Sequence, residues 1–276
     1  LQSILHCVMN QHRNDQTLSS SLANGLPNPI PPIIAPLNVY DGLGMSGLFA
    51  AVMPDSGRPF IQYIWNQIVT APSQLFLALI ILSAHLRDLQ DAAKFQHCDL
   101  HANNVLIYQA MAPYRVKLSV NGQLKSFSTF MQVSIIDFGN VCIDLDNMEL
   151  STMFNEDDDI FGAQCREDNR ASDLFIFLCS IVRSTSRNVV PKHAQQFVDW
   201  VRSFVDETID DAEIELPHVS SWTADYPPLA DVYRKSIEAT LTTPEITIER
   251  CLEYVDLRPI TVHRDSLPLH IMQPRK

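Results

Sequence analysis

Apolar residues recur at helical spacing in parts of this chain and alternate with polar ones in others, and the two periods divide it into elements. Leu1, Ile4, Leu5 and Val8 read as the end of a helix. After a polar segment, Pro27, Pro29, Pro31, Pro32 and Pro36 forbid helix and predict extended chain. Short strands are expected at Leu37 to Tyr40 and Leu48 to Met53, across the glycine-rich turn Asp41 to Gly47. A short helix follows from Phe60 to Val69, and Pro72-Ser73 starts a long, largely buried one that continues from Leu75 to Lys94. Val105 to Tyr108 reads as a strand. Val116 to Val120 and Gln123 to Phe127 flank Asn121-Gly122, a dipeptide that supplies the positive φ angles of a tight type I′ turn, so a hairpin is predicted. Val133 to Ile136 is one more strand. Beyond Asp137 the chain turns acidic and irregular up to about Arg170. Helices then dominate, with Ala171 to Arg183, His193 to Phe204 and Leu229 to Thr240 the clearest. The pattern predicts an α+β fold, a small β-containing part followed by a mainly helical one, with the boundary near Gly57.

Composition narrows the partners. The 276 residues are 46% apolar and 19% charged, enough for one large domain or two lobes with real cores. Lys and Arg total 20 against 32 Asp and Glu, a net charge of −12. Direct binding to DNA draws most of its affinity from clustered positive charge, so it is not expected here, and a basic partner suits the chain better. The longest apolar run, Leu75 to Leu82, is eight residues, well short of the roughly 20 that span a bilayer. The six cysteines form no CxxC pair and read as reduced thiols, which fits a nuclear or cytoplasmic protein. The chain begins at Leu1 without a signal segment and reads as a piece of a longer protein.

Chemistry concentrates in two stretches. Phe95 to Ile107 contains His97-Cys98-Asp99-Leu100-His101-Ala102-Asn103-Asn104 between the long helix and a strand. Val133 to Gly139 places Asp137-Phe138-Gly139 at the end of another strand. Two carboxylates and an amide at the ends of apolar elements suit metal-assisted phosphoryl transfer. Mg²⁺ takes hard oxygen ligands and shares them with nucleotide phosphates, while a further carboxylate accepts the proton of the attacking hydroxyl.

These residues resemble the protein-kinase catalytic loop H-R-D-L-x-x-x-N followed by D-F-G. The resemblance implies that Asp99 is the base, that Asn104 and Asp137 hold magnesium, and that His97 packs beneath the loop. It also gives Phe138, Gly139 and Asp173 supporting roles, with Asp173 anchoring the catalytic-loop backbone; a carboxylate at a helix start is good capping as well. Four features narrow the likeness to the haspin type of serine/threonine kinase. His101 follows Asp99-Leu100, a choice shared with small-molecule kinases of the aminoglycoside-phosphotransferase type. Asp99 and Asp137 are 38 positions apart, and the extra length holds the Asn121-Gly122 hairpin. The strand Gln132 to Asp137 is close to the haspin sequence. Glu156 to Gly162 resembles the haspin acidic segment, with no Ala-Pro-Glu after it.

The implied fold is kinase-like, with a partial N-lobe and hinge over residues 1–57 and a C-lobe over 58–276. The implied activity is ATP- and Mg²⁺-dependent phosphorylation of a threonine in a basic protein tail, that of a histone. Met53, Pro54, Asp55 and Ser56 fall where the adenine-contacting hinge belongs. From Asp144 to Asp168 nine acids face one base, Arg166; such a run is ordinarily a solvated loop, but here it lies where peptide substrates dock, and Asp157 and Asp159 are the residues expected to read basic side chains.

The chain also departs from the pattern. Haspin has Asp-Tyr-Thr where this chain has Asp137-Phe138-Gly139, and Cys98 replaces the loop arginine that pairs with a phosphorylated activation segment. Ala102-Asn103 stand where haspin has Trp-Gly. The first lysine is Lys94 and the first glutamate Glu149, so the lysine and glutamate that a kinase needs on the triphosphate are not in the chain before its catalytic loop. Alone it is expected to be inactive. The alternatives are a pseudokinase that binds without turnover and, third, a small-molecule kinase, which the acidic segment and the hairpin argue against. His101, His193 and His263 are read as structural or surface residues, and Phe197, Trp200 and Phe204 as a core stripe.

Overall fold

A computed structural model describes residues 7, 10, 11, 27–31, 35–39, 48–52, 57–65, 71–145, 148–151, 169–222, 227 and 229–256. It is a mixed α+β architecture with small antiparallel sheets. β1 (Ala35–Val39) and β2 (Leu48–Val52) pair antiparallel, close to the two strands expected there. β3 (Arg58–Pro59) joins β4 (Val105–Val120), which pairs with β5 (Gln123–Ile135). Asn121 (φ 50°) and Gly122 (φ 73°) make the turn between them, as the sequence predicts.

Four separate strands were expected where two long ones form. The cause of the difference is Pro113, which argues against a continuous strand. The ladder skips from Gln109 opposite Met131 to Tyr114 opposite Thr129, so Pro113 falls in an irregularity where no ladder N–H is needed. The alternation nevertheless persists along β5, where Phe127, Thr129, Met131, Val133 and Ile135 are buried and the residues between them are half-buried. That face packs on α2 (Pro72–Ala93).

α2 begins at Pro72, whose missing N–H costs nothing in the first turn, and ends at Lys94, which turns left-handed (φ 43°) while its N–H returns to the Gln90 carbonyl at 2.9 Å. It is buried on nearly every side and acts as the axis of the core. α4 (Lys192–Asp211) and α6 (Pro244–Cys251) pack directly on it; α3 (Ser172–Thr185) packs on α4, α5 (Leu229–Ser236) on α3, and α1 (Phe60–Trp65) on β3 and β4. Phe60 meets Phe177 edge-on at 5.0 Å, Phe76 meets Phe197 at 5.1 Å, and Trp200 lies 5.1 Å from Phe204. The aromatic stripe of α4 is core packing. His193 is structural, its Nε2 lying 3.0 Å from the Ile64 carbonyl of α1. The proline-rich stretch is non-helical over Pro27 to Pro31, with Ile30 fully buried and the Pro29 carbonyl accepting the Ile135 N–H at 2.8 Å.

Two expectations need correction. The acidic region is not wholly irregular, since β6 (Cys142–Leu145) and β7 (Met148–Ser151) form a hairpin within it. Asp144 belongs to that hairpin and pairs with Lys94 at 2.9 Å, so it is not part of a solvated run. The cysteines are not all reduced either. Cys7, Cys98, Cys179 and Cys251 are free, but Cys142 is disulfide-bonded. Among the described residues no helix is long and apolar enough to cross a membrane.

Candidate active site

Two segments must meet for the three oxygen-bearing side chains to act together, and the β4–β5 register brings them side by side. Val105 is paired with Ile135, so the residues just outside the ladder, Asn104 and Ile136, are adjacent, and the Ile136 N–H donates to the Asn104 carbonyl at 2.9 Å. Asp137 follows at once. The Asn104 amide reaches back across its own loop, where Nδ2 donates to the Asp99 carbonyl at 2.9 Å. The segments that carry Asp99, Asn104 and Asp137 are thereby joined at one end of the hairpin, the first two residues by a hydrogen bond and Asp137 through its chain neighbour Ile136.

The loop carrying Asp99 is held from below. Gln96 and Cys142 exchange both backbone hydrogen bonds at 2.9 Å. His97 Nε2 lies 2.9 Å from the Ile136 carbonyl; a carbonyl can only accept, so Nε2 carries the proton. The His97 ring lies 5.8 Å from Phe138, which is buried and also meets Phe95 at 6.5 Å. These contacts lock the second motif against the first. Ser180 Oγ, on α3, accepts the Ala102 N–H at 2.9 Å and adds a further tie.

Asp173 is 2% exposed and binds the loop through both oxygens, Oδ2 accepting the His97 N–H at 2.8 Å and Oδ1 the Cys98 N–H at 3.0 Å. It sits in the first turn of α3 but caps nothing; the helix starts after Ala171 without a side-chain cap. Of the two roles weighed for it, loop anchor and helix cap, the anchor is the one observed. Burial pushes its carboxyl above the usual range, while neighbouring His97 and the two amide bonds act in the opposite sense.

Two backbone conformations stand out. Cys98 (φ 60°) and Asp137 (φ 63°, ψ 71°) are left-handed without being glycine. Such strain persists only where the surroundings impose it, and it gathers at functional sites. The left-handed turn folds the exposed Asp137 carboxylate over Gly139, where an added Cβ would stand 3.4 Å from Oδ1.

The donor set suits Mg²⁺. Because Asn104 Nδ2 is spent on the Asp99 carbonyl, its Oδ1 is the atom left to ligate; the exposed Asp137 carboxylate is the other candidate ligand. Among the described residues no group of three or more His, Cys, Asp or Glu could hold a metal alone. One amide oxygen and one carboxylate with phosphate oxygens completing the shell is how this hard, water-retaining ion is ordinarily bound.

One partner of the site escaped sequence reasoning. The Tyr233 hydroxyl, from α5, donates to Asp99 Oδ1 at 2.5 Å, and His101 Nε2 stands 4.0 Å from the same oxygen. His101, read as a structural or surface residue, is half-buried next to that carboxylate. No local pattern marks Tyr233, which arrives from 134 positions downstream. Met53, Pro54, Asp55, Ser56, Asp157 and Asp159 lie outside the described residues, as does His263. No protein-family model matches the chain, and no curated protein matches it either.

Proposed function

We propose that this chain carries the catalytic lobe of a serine/threonine protein kinase of haspin type, transferring the ATP γ-phosphoryl group to a threonine hydroxyl in a basic, histone-like tail. The observation that supports the reading is that the backbone segments carrying Asp99, Asn104 and Asp137 lie side by side at one end of the hairpin, joined by the Asn104–Asp99 and Asn104–Ile136 hydrogen bonds. Asp99 orients the acceptor hydroxyl and takes its proton as the oxygen attacks phosphorus. Asn104 and Asp137 would hold Mg²⁺, which neutralises phosphate charge when bound. His97 and Asp173 hold the loop in shape. The acidic residues Asp157 and Asp159 draw in lysine and arginine side chains of the tail.

A second reading, nucleotide binding without turnover, is favoured by one observation. Lys94 is the first lysine of the chain, and it is engaged with Asp144. Two measurements separate the readings. Calorimetric titration of the 276-residue chain with ATP, with and without Mg²⁺, should give metal-dependent binding that Asp137→Asn weakens by about tenfold or more. Transfer of labelled phosphoryl to a threonine-containing basic peptide by the full-length protein should vanish in Asp99→Asn. Metal-dependent binding without any transfer selects the second reading; absence of both removes the kinase assignment.

A further inference from the structure

The Asp99 side chain is held from a direction that the catalytic loop itself does not supply. Among the described residues, its carboxylate has one hydrogen-bond partner, the Tyr233 phenol at 2.5 Å. Burial first, and then the bond to Asp99, raise the phenol pKa far above its ordinary value. Tyr233 is therefore a neutral donor throughout the physiological range, and Asp99 Oδ1 the acceptor.

The helix that carries Tyr233 is fixed in turn. Ser236 Oγ lies 2.7 Å from the Tyr233 carbonyl and 2.7 Å from Ser172 Oγ, one position before Asp173. Ser236 is fully buried, as is Val232 to within 4%. Asp173 grips the loop backbone from α3, and Tyr233, docked on the start of that same helix, grips the side chain. Tyr233 and His101 also line a cavity of about 290 Å³ with Asn103, Ser180 and Arg183.

We propose that Tyr233 is a positioning residue for Asp99: by occupying Oδ1 it fixes the carboxylate plane and presents Oδ2 to the acceptor hydroxyl. A carboxylate on a left-handed loop residue's neighbour has two free torsions, and one strong bond to a half-buried donor removes that freedom. This inference rests on the kinase reading above, and the experiment keeps the two apart.

The contact is tested on the 276-residue chain at pH 7 by ¹³C NMR of the tyrosine ζ carbons, which respond to the hydrogen bond the phenol makes, the Tyr233 signal being assigned by its loss in Tyr233→Phe. Asp99→Asn, which replaces a charged acceptor with a neutral one, should shift the Tyr233 signal while the other resolved tyrosines stay put. An unmoved Tyr233 signal overturns the contact and the proposal with it. The role is tested by kinetics of the full-length protein with Mg–ATP and a basic threonine peptide. Tyr233→Phe, which keeps the ring, should lower kcat by roughly tenfold with KM for ATP unchanged. An unaltered kcat overturns the positioning role, and a raised kcat overturns it by making the phenol a blocking group. If the unsubstituted protein transfers nothing, the kinase reading falls and the positioning role falls with it. A shift of the Tyr233 signal in Asp99→Asn in that case shows that the failure lay in the activity, since the contact itself is intact.

Discussion

Cys98 is held in a left-handed conformation by Asp173, whose Oδ1 accepts the Cys98 N–H at 3.0 Å while Oδ2 takes the neighbouring N–H of His97. A non-glycine residue at positive φ costs about 1–3 kcal/mol, and the buried carboxylate offsets that cost. Asp173→Ala leaves two buried N–H groups unpaired at roughly 1–3 kcal/mol each, for a total loss of about 2–6 kcal/mol. Urea unfolding should show a lower midpoint with an unchanged slope. Asp173→Asn keeps one acceptor and should lose less. Equal midpoints for the alanine variant and the parent would remove Asp173 from its role as anchor.

Two glycines separate strain from collision. Gly122, at φ 73°, has nothing within 4 Å of where a Cβ would stand, so Gly122→Ala should cost only the backbone term, about 1 kcal/mol. Gly57, at φ 102°, would bring a Cβ to 2.0 Å from the Ile107 carbonyl oxygen, on the strand that pairs with Arg58 and Pro59. Gly57→Ala must push that short strand away and should cost several times more. Thermal melts of the two variants test the ranking, which fails if Gly122→Ala is the worse of the pair.

How much of this was legible in the sequence follows from where the causes lie. Pro72 opens a helix and Asn121-Gly122 closes a hairpin through local dihedral preferences, which a sequence displays directly. The residues around Asp99 and Asp137 were legible as motifs, and Asp173 through its place at a helix start. The strand through Pro113 was not, because the irregularity that accommodates a proline is settled by the partner strand. The β6–β7 hairpin was hidden because acidic residues obscure its alternation. α6 was missed although Thr243-Pro244-Glu245 is a start signal; Thr243 Oγ1 accepts the Ile246 N–H at 3.4 Å. Tyr233 could not be found at all, since only tertiary packing brings it to Asp99.

Burial should make the protein fragile toward alkali. Cys98, Cys179 and Cys251 are buried, and burial pushes each thiol well above its ordinary pKa. The unfolded chain releases these protons from about pH 8.5, while the folded one retains them. The unfolded state therefore binds fewer protons above that pH, and stability falls as pH rises, by up to about 1.4 kcal/mol per unit for each group. Below pH 8 the contribution is fully present. Denaturation midpoints at pH 7.5, 9 and 10 should decline in that order. A thiol reagent at pH 8 should label exposed Cys7 at once and the three buried thiols only on unfolding. Rapid native labelling of Cys98 would place it at the surface, against its 3% exposure.

Asn104 is asked to do two things at once, and a single substitution can divide them. Its Nδ2 donates to the Asp99 carbonyl, and its Oδ1 is the proposed metal ligand. Asn104→Asp keeps an oxygen for the metal but turns the donor into a second acceptor facing that carbonyl, at a site only 5% exposed. Without metal the variant should be less stable by about 1–3 kcal/mol, the cost of an unpaired buried polar group. With Mg²⁺ and ATP the new carboxylate gains a cation to face, so part of the loss should return, and the rise in Tm on adding Mg–ATP should exceed that of the parent. Asn104→Leu, which has neither function, should be destabilised with no such recovery. The comparison is read from melts of the three proteins with ATP, with or without Mg²⁺. If Asn104→Asp gains no more from the metal than Asn104→Leu does, Asn104 only fastens the loop, and the cation is held by other groups.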